Sequence, residues 1–141
     1  LVGAAGVAGA LPGTVEPVLR VQPSGPSAPG VVGVVYCRAA VTPSEKEGEM
    51  LDSVQAADGA AQPGDYLLIV VQGVAQVKVA KGETLTPGQR LKASDVAGEA
   101  RGLRTVEVDG VMLDEGGAVI GVLLDAPDAA SGLAPVMVTL R

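Results

Sequence analysis

The stretch Gly64-Asp65-Tyr66-Leu67-Leu68-Ile69-Val70-Val71-Gln72-Gly73-Val74-Ala75-Gln76-Val77-Lys78-Val79 is the most apolar and most β-branched run in the chain, and its reading decides the fold. Leu67 to Val71 is continuously apolar, the pattern of a strand buried on both faces. Ala75, Val77 and Val79 instead alternate with Gln76 and Lys78, the pattern of a strand with one wet face. Gly73 separates the two. A glycine inside such a run marks a bulge or a bend, so the chain is expected to change sheet or turn a barrel corner there. Each large aliphatic side chain that is buried contributes roughly 1.5–3 kcal/mol, which makes this segment the main reservoir of core energy.

Downstream, Thr86-Pro87-Gly88-Gln89 is a turn by residue type, and Arg90-Leu91-Lys92-Ala93 reads as a short strand. Val106-Glu107-Val108 and Val111-Met112-Leu113 flank Asp109-Gly110, whose tolerance of positive φ predicts a type I′ hairpin. Glu115-Gly116-Gly117 turns into Ala118 to Leu124, a second strand expected to be fully buried. The loop Asp125 to Leu133 then leads to a last strand over Ala134 to Leu140. Upstream, Val31 to Cys37 reads as strand and Gln22 to Gly30 as a Pro/Gly/Ser loop. Thr14 to Val21, interrupted by Pro17, is confined to an edge strand or extended segment. Ser44-Glu45-Lys46-Glu47 has the form of a capping box, and Met50, Leu51 and Val54 behind it predict a short helix that Gly48 weakens. Many short strands at near-regular spacing define an all-β expectation: a single β-barrel or β-sandwich-like domain over residues 31–141, preceded by an extended arm and linker over 1–30. Its core is expected to be lined by Ile69, Val71, Val77, Val79, Ile120, Val122, Val136 and Val138.

Composition narrows the function. A chain of 141 residues is one domain by the usual range of roughly 100–200. Phe and Trp are absent and Tyr36 and Tyr66 are the only aromatics, so stacking platforms for single-stranded nucleic acid are lacking, and a net charge of -6 repels a phosphate backbone. Histidine is absent, which removes the commonest general base and metal ligand, and with them most hydrolase triads and zinc sites. Cys37 is the only cysteine; it reads as a small core residue, with an intermolecular crosslink as the functional alternative. Missing Asn and ten prolines match heat-adapted proteins and, equally, the bias of a GC-rich genome.

The acidic clusters Glu45/Glu47/Glu49 and Asp109/Asp114/Glu115 lack the spacing of a calcium loop and read as solvated charge. Ser94-Asp95 has no base to relay a proton and reads as a turn satisfied locally. The opening stretch Leu1 to Gly13 has no basic region ahead of its apolar residues and is shorter than the roughly 18 residues of a membrane span, so neither an intact signal peptide nor a span is expected. Its small residues permit close backbone approach. Two placements follow: an arm packed through Leu1, Val2, Val7 and Leu11 on a neighbouring subunit by strand exchange, or an intramolecular edge strand.

Val31 to Val35, Val71 to Val79, Gly82-Glu83-Thr84-Leu85-Thr86-Pro87-Gly88 with Leu91, Ser94, Gly98 and Ala100, then Ala118 to Leu124 and Val136 to Leu140, together resemble a β-rich domain that recurs at the ends of secreted bacterial surface proteins and phage tail or fibre proteins. Gln89 follows Gly88 where that family carries an acid. The resemblance implies an extracellular or virion structural module, often oligomeric, without cofactor. Self-cleaving chaperone activity occurs in some phage relatives, and no residue set here carries it.

The resulting expectation is a non-enzymatic structural protein, a self-assembling subunit of an extracellular filament or surface assembly, with other copies of itself as partner. It includes no metal, cofactor, nucleic acid or small-molecule substrate. A phage capsid-decoration or tail protein is the alternative, and a surface-displayed carbohydrate or adhesion module ranks behind both for want of aromatic platforms.

Overall fold

The computed structural model describes residues 1–10, 17–25, 30–43 and 51–140. Among these residues the chain forms strands and no helix. The strands are β1 (Val2–Ala10), β2 (Pro17–Pro23), β3 (Val31–Pro43), β4 (Leu51–Ala57), β5 (Tyr66–Val70), β6 (Gln72–Lys78), β7 (Arg90–Ala93), β8 (Ala100–Gly102), β9 (Thr105–Val108), β10 (Val111–Asp114), β11 (Val119–Leu123) and β12 (Leu133–Thr139). They make three antiparallel sheets: a body in the order β6-β12-β11-β7-β8, an outer sheet β2-β1-β3-β4 with β5 also on β3, and the lone ribbon β9–β10.

The opening run does change sheet, but at Val71 and not at the glycine. β5 belongs to the outer sheet and β6 to the body, with a bend at Val71 between them, while Gly73, with a positive φ of 116°, lies inside β6 opposite Val138. Val71 is therefore 61% exposed and is not a core residue, because it lies in the bend and belongs to neither sheet. Of the other expected core positions, Val77, Val79, Ile120, Val136 and Val138 are buried, whereas Ile69 and Val122 are half-buried. The Leu67–Val71 run is not covered on both faces, since Leu68 is exposed.

The core lies inside the curled body. Alternate residues of β6 (Ala75, Val77) and of β12 (Ala134, Val136, Val138) point inward, as the two-residue period of a strand requires. Val79, Leu85, Leu91, Ala100, Ile120 and Leu123 add to it, and Val34 of the outer sheet's β3 reaches into it. The sheet's two edges meet through a single bridge, Val79 to Ala100, and none of the sheets closes into a barrel, so the barrel form of the expectation is corrected. Pro135 sits within the interior strand β12. Its carbonyl accepts from Leu124 N–H at 2.9 Å, just past the end of β11, so the missing proline donor falls where the ladder has already stopped.

Leu51–Ala57 is strand, not the expected helix: it pairs with β3 from Ala57↔Arg38 to Leu51↔Pro43. The capping box and Met50 fall outside the described residues. The opening stretch pairs within the single chain described. β1 lies between β2 and β3, so it is not an edge, and Val2 is buried on this chain's own core. Small residues make that possible, since a Cβ at Gly3 would stand 3.2 Å from the Gly30 carbonyl oxygen. The Leu1 amine donates to Gly98 O at 2.8 Å, and Gly98 N–H donates to Ser24 O at 3.0 Å, fastening this sheet to the body. Val7 is exposed, and Leu11 lies outside the described residues.

Candidate functional site

The Asp109-Gly110 turn forms as its residues demand, with φ of 51° and 78° at the two positions, and β9 and β10 pair in register around it. Directly opposed residues share a face. Val108 with Val111 and Val106 with Leu113 therefore make one face entirely aliphatic, while Glu107 with Met112 and Thr105 with Asp114 make the other largely polar. The four aliphatic residues are 47% to 56% exposed. Half-exposure of four such side chains amounts to a bare patch on the order of 300 Å², comparable to the largest apolar patch on an ordinary monomer, which is often functional. No single residue of this set announces the patch in the sequence. The alternation around the turn is the signal, and it becomes legible only when nothing covers the aliphatic side.

The ribbon is held at its base by charge. Arg101, buried on β8, donates from Nη2 to Glu115 Oε2 at 2.7 Å and from Nη1 to Glu115 Oε1. Arg104 N–H donates to the same carboxylate at 2.8 Å, and Lys92 Nζ lies 3.5 Å from it while donating to Gly116 O at 2.8 Å. The hydrogen bonds from Arg101, then the Arg104 amide and the nearby Lys92 charge, hold the Glu115 carboxyl at about 2, against burial that pushes the other way. Arg90 pairs with Asp114 on the outer side of the same base. Asp114 and Glu115 are thus ion-pair partners and not simply solvated charge, while Glu45, Glu47 and Glu49 lie outside the described residues.

A groove of about 650 Å³ runs along the outer sheet. Register puts Ala39 with Tyr66, Cys37 with Leu68 and Val41 with Val54 on one face of β3, β4 and β5. β2 walls it with Leu19, exposed, and Arg20. Among the described residues that line it, the one carboxylate is Asp65, which Arg38 Nε binds at 2.8 Å. The Gln62 amide and that arginine together hold the Asp65 carboxyl below its usual range.

Elsewhere the chemistry is local. Ser94 is buried, and its hydroxyl accepts from Val96 N–H and donates to Val96 O, both at 3.0 Å, which is a closed turn. Cys37 is half-buried on the groove face and carries a free thiol. Among the described residues no three acidic, cysteine or histidine side chains converge, and no helix is long and apolar enough to cross a membrane. Compared with family models, with curated proteins and with solved structures, the chain gives no match in any of the three.

Proposed function

We propose that the protein is a non-enzymatic structural subunit that assembles with other copies of itself. The observation that carries this reading is the β9–β10 ribbon: an aliphatic face left bare on a projection whose base is fixed by buried charge. A monomer gains nothing from holding such a face in water, and a rigid mount lowers the ordering cost of binding through it. The residues that sequence reasoning weighed for catalysis support the same view, because the Ser94 hydroxyl is spent in its own turn and Cys37 has no histidine in the chain to activate it. The resemblance to bacterial surface and phage fibre domains supports an extracellular or virion setting. Within the described chain β1 pairs with β2 and β3, so this reading takes the ribbon as its joining surface.

Sedimentation velocity across a hundredfold concentration range, with negative-stain microscopy of the most concentrated sample, tests the proposal. The expected result is mass that grows with concentration into regular oligomers or fibres. A monomer throughout overturns it.

A further inference from the structure

The bare face of the ribbon has a charge at each of its ends. Glu107 and Asp114 stand on the opposite face, where Arg90 holds Asp114, so neither looks at whatever covers the aliphatic side. Asp109 is exposed at the tip, beside Val108 and Val111. At the root, Glu115 N–H donates to Arg104 O at 2.9 Å, which carries the ladder one pair further and puts Arg104 in line with Val106 on the aliphatic side. The Arg104 side chain is 65% exposed, and Glu83, the acid it is paired with, stands 3.8 Å away. Glu115, opposite Arg104 in the ladder, is already taken by Arg101. The face thus runs from an acid at its tip to an exposed base at its root.

We propose that the aliphatic face of the ribbon packs on the same face of a second copy, the two related by a two-fold axis that lays each tip over the other's root. The inference rests on the self-assembly reading and names its interface. A two-fold contact uses one patch twice, so the patch must complement itself. With tip over root, Val108 and Val111 of each copy lie on Val106 and Leu113 of the other, and Asp109 comes beside Arg104 at both ends. Tip over tip would set Asp109 against Asp109 and Arg104 against Arg104. The groove of the outer sheet serves this ribbon less well. Among the described residues that line it the one acid is Asp65, which Arg38 already holds, so Arg104 would gain no acid there. Two aliphatic faces on the order of 300 Å² each, at the usual apolar share of about 57%, correspond to roughly 1,000 Å² in total, the lower bound for a specific contact. The pairing uses up both ribbons, so it closes at a dimer, and any larger assembly is built from such dimers through another surface.

A double-variant cycle tests the pairing. Asp109→Asn removes the acid and keeps a residue that tolerates the φ of 51° at the tip, and Arg104→Gln removes the base at the root. Within one copy these positions are separated by the whole of β9, about 16 Å, too far to couple, whereas across the two-fold axis they touch. Sedimentation equilibrium is expected to show the dimer dissociation constant raised about two- to tenfold by either change and no further by both together. Effects that simply add, or no effect from either change, overturn the proposal. As a second measurement, Val111→Asp is expected to stay monomeric where the unmodified protein dimerises, while Leu19→Glu, in the groove, dimerises normally. Circular dichroism and the urea midpoint establish that each variant is folded. A folded Val111→Asp variant that dimerises like the parent overturns the proposal, and loss of assembly in Leu19→Glu overturns it in favour of the groove. An unmodified protein that never assembles overturns the self-assembly reading itself, so the two failures are told apart.

Discussion

The body sheet and the outer sheet are built from the same residue types and meet different fates. β5, Tyr-Leu-Leu-Ile-Val, is the more apolar strand, yet none of its residues is fully buried. β12 contains a proline and a threonine, yet its inward residues Ala134, Val136 and Val138 are sealed. Hydropathy sets what a strand gains by being covered. Whether it is covered depends on what the topology lays across it, and here the body curls upon itself while the outer sheet leaves one face open.

The largest expected effect tests that difference directly. Leu91 is 0% exposed and Leu68 is 37% exposed. Leu91→Ala is expected to cost about 2–5 kcal/mol in urea denaturation, the range for truncating a sealed leucine, and Leu68→Ala less than about 1 kcal/mol. Equal losses would mean that the outer face is packed as tightly as the body. Glycines sharpen the comparison. A Cβ at Gly121 would sit 2.1 Å from the Met137 carbonyl oxygen, against nothing within 4 Å at Gly25. Gly121→Ala is expected to destabilise by about 1–3 kcal/mol or more, whereas Gly25→Ala is neutral or slightly stabilising, as thermal melts would show.

A smaller effect concerns the mount between body and ribbon. The Glu115 carboxyl is held at about 2 in the folded protein against 4.5 for the free group, so its contribution is complete above about pH 4.5 and is lost as the pH falls toward 2. After discounting for solvent screening, Glu115→Gln is expected to cost on the order of 1–2 kcal/mol at pH 7. The gap between variant and parent should close across that acid window in paired melts, and a gap independent of pH would assign the loss to packing. The smallest effect is at the ribbon tip. Gly110 has φ of 78°, so Gly110→Ala costs about 1 kcal/mol. Because β9 and β10, among the described strands, pair only with each other, the loss should appear as faster amide exchange over residues 105–114 with little change in the melting temperature.

What the sequence disclosed was local. Asp109-Gly110, the alternation from Ala75 to Val79, the strand at Arg90–Ala93 and the closing strands each rest on neighbours within a few residues, and each was readable. Leu51–Ala57 misled because Leu51 and Val54 fit a helical face as well as a strand, and pairing with β3 decided between them. Val71 misled because an apolar residue in a bend looks like one in a strand. The core positions Ala100 and Ala134 went unread since small residues acquire their place only from what surrounds them. The candidate site was half legible: the hairpin stood in the sequence, but its anchorage did not, because Arg101 and Glu115 are brought together by β7, β8 and the ribbon's return. The groove was invisible, being made by strands that the chain reaches at four separate places.

The position of β12 governs the order in which this chain can fold. It is the last strand along the sequence and yet lies between β6 and β11, and its partners on β6 are about sixty residues away. The pairs β1–β2, β3–β4 and β9–β10 join strands that follow one another closely in sequence and need no such search. Loop closure of that length must be met before the body's contacts repay it, which sets a refolding time of milliseconds to seconds, typical of non-local β topologies. During synthesis, the outer sheet and the ribbon are complete while β6 still waits, its inward valines uncovered, for residues 133–139 to leave the ribosome. The ribbon that carries the proposed assembly therefore forms before the core that supports it, and the nascent chain is most open to premature association in that interval.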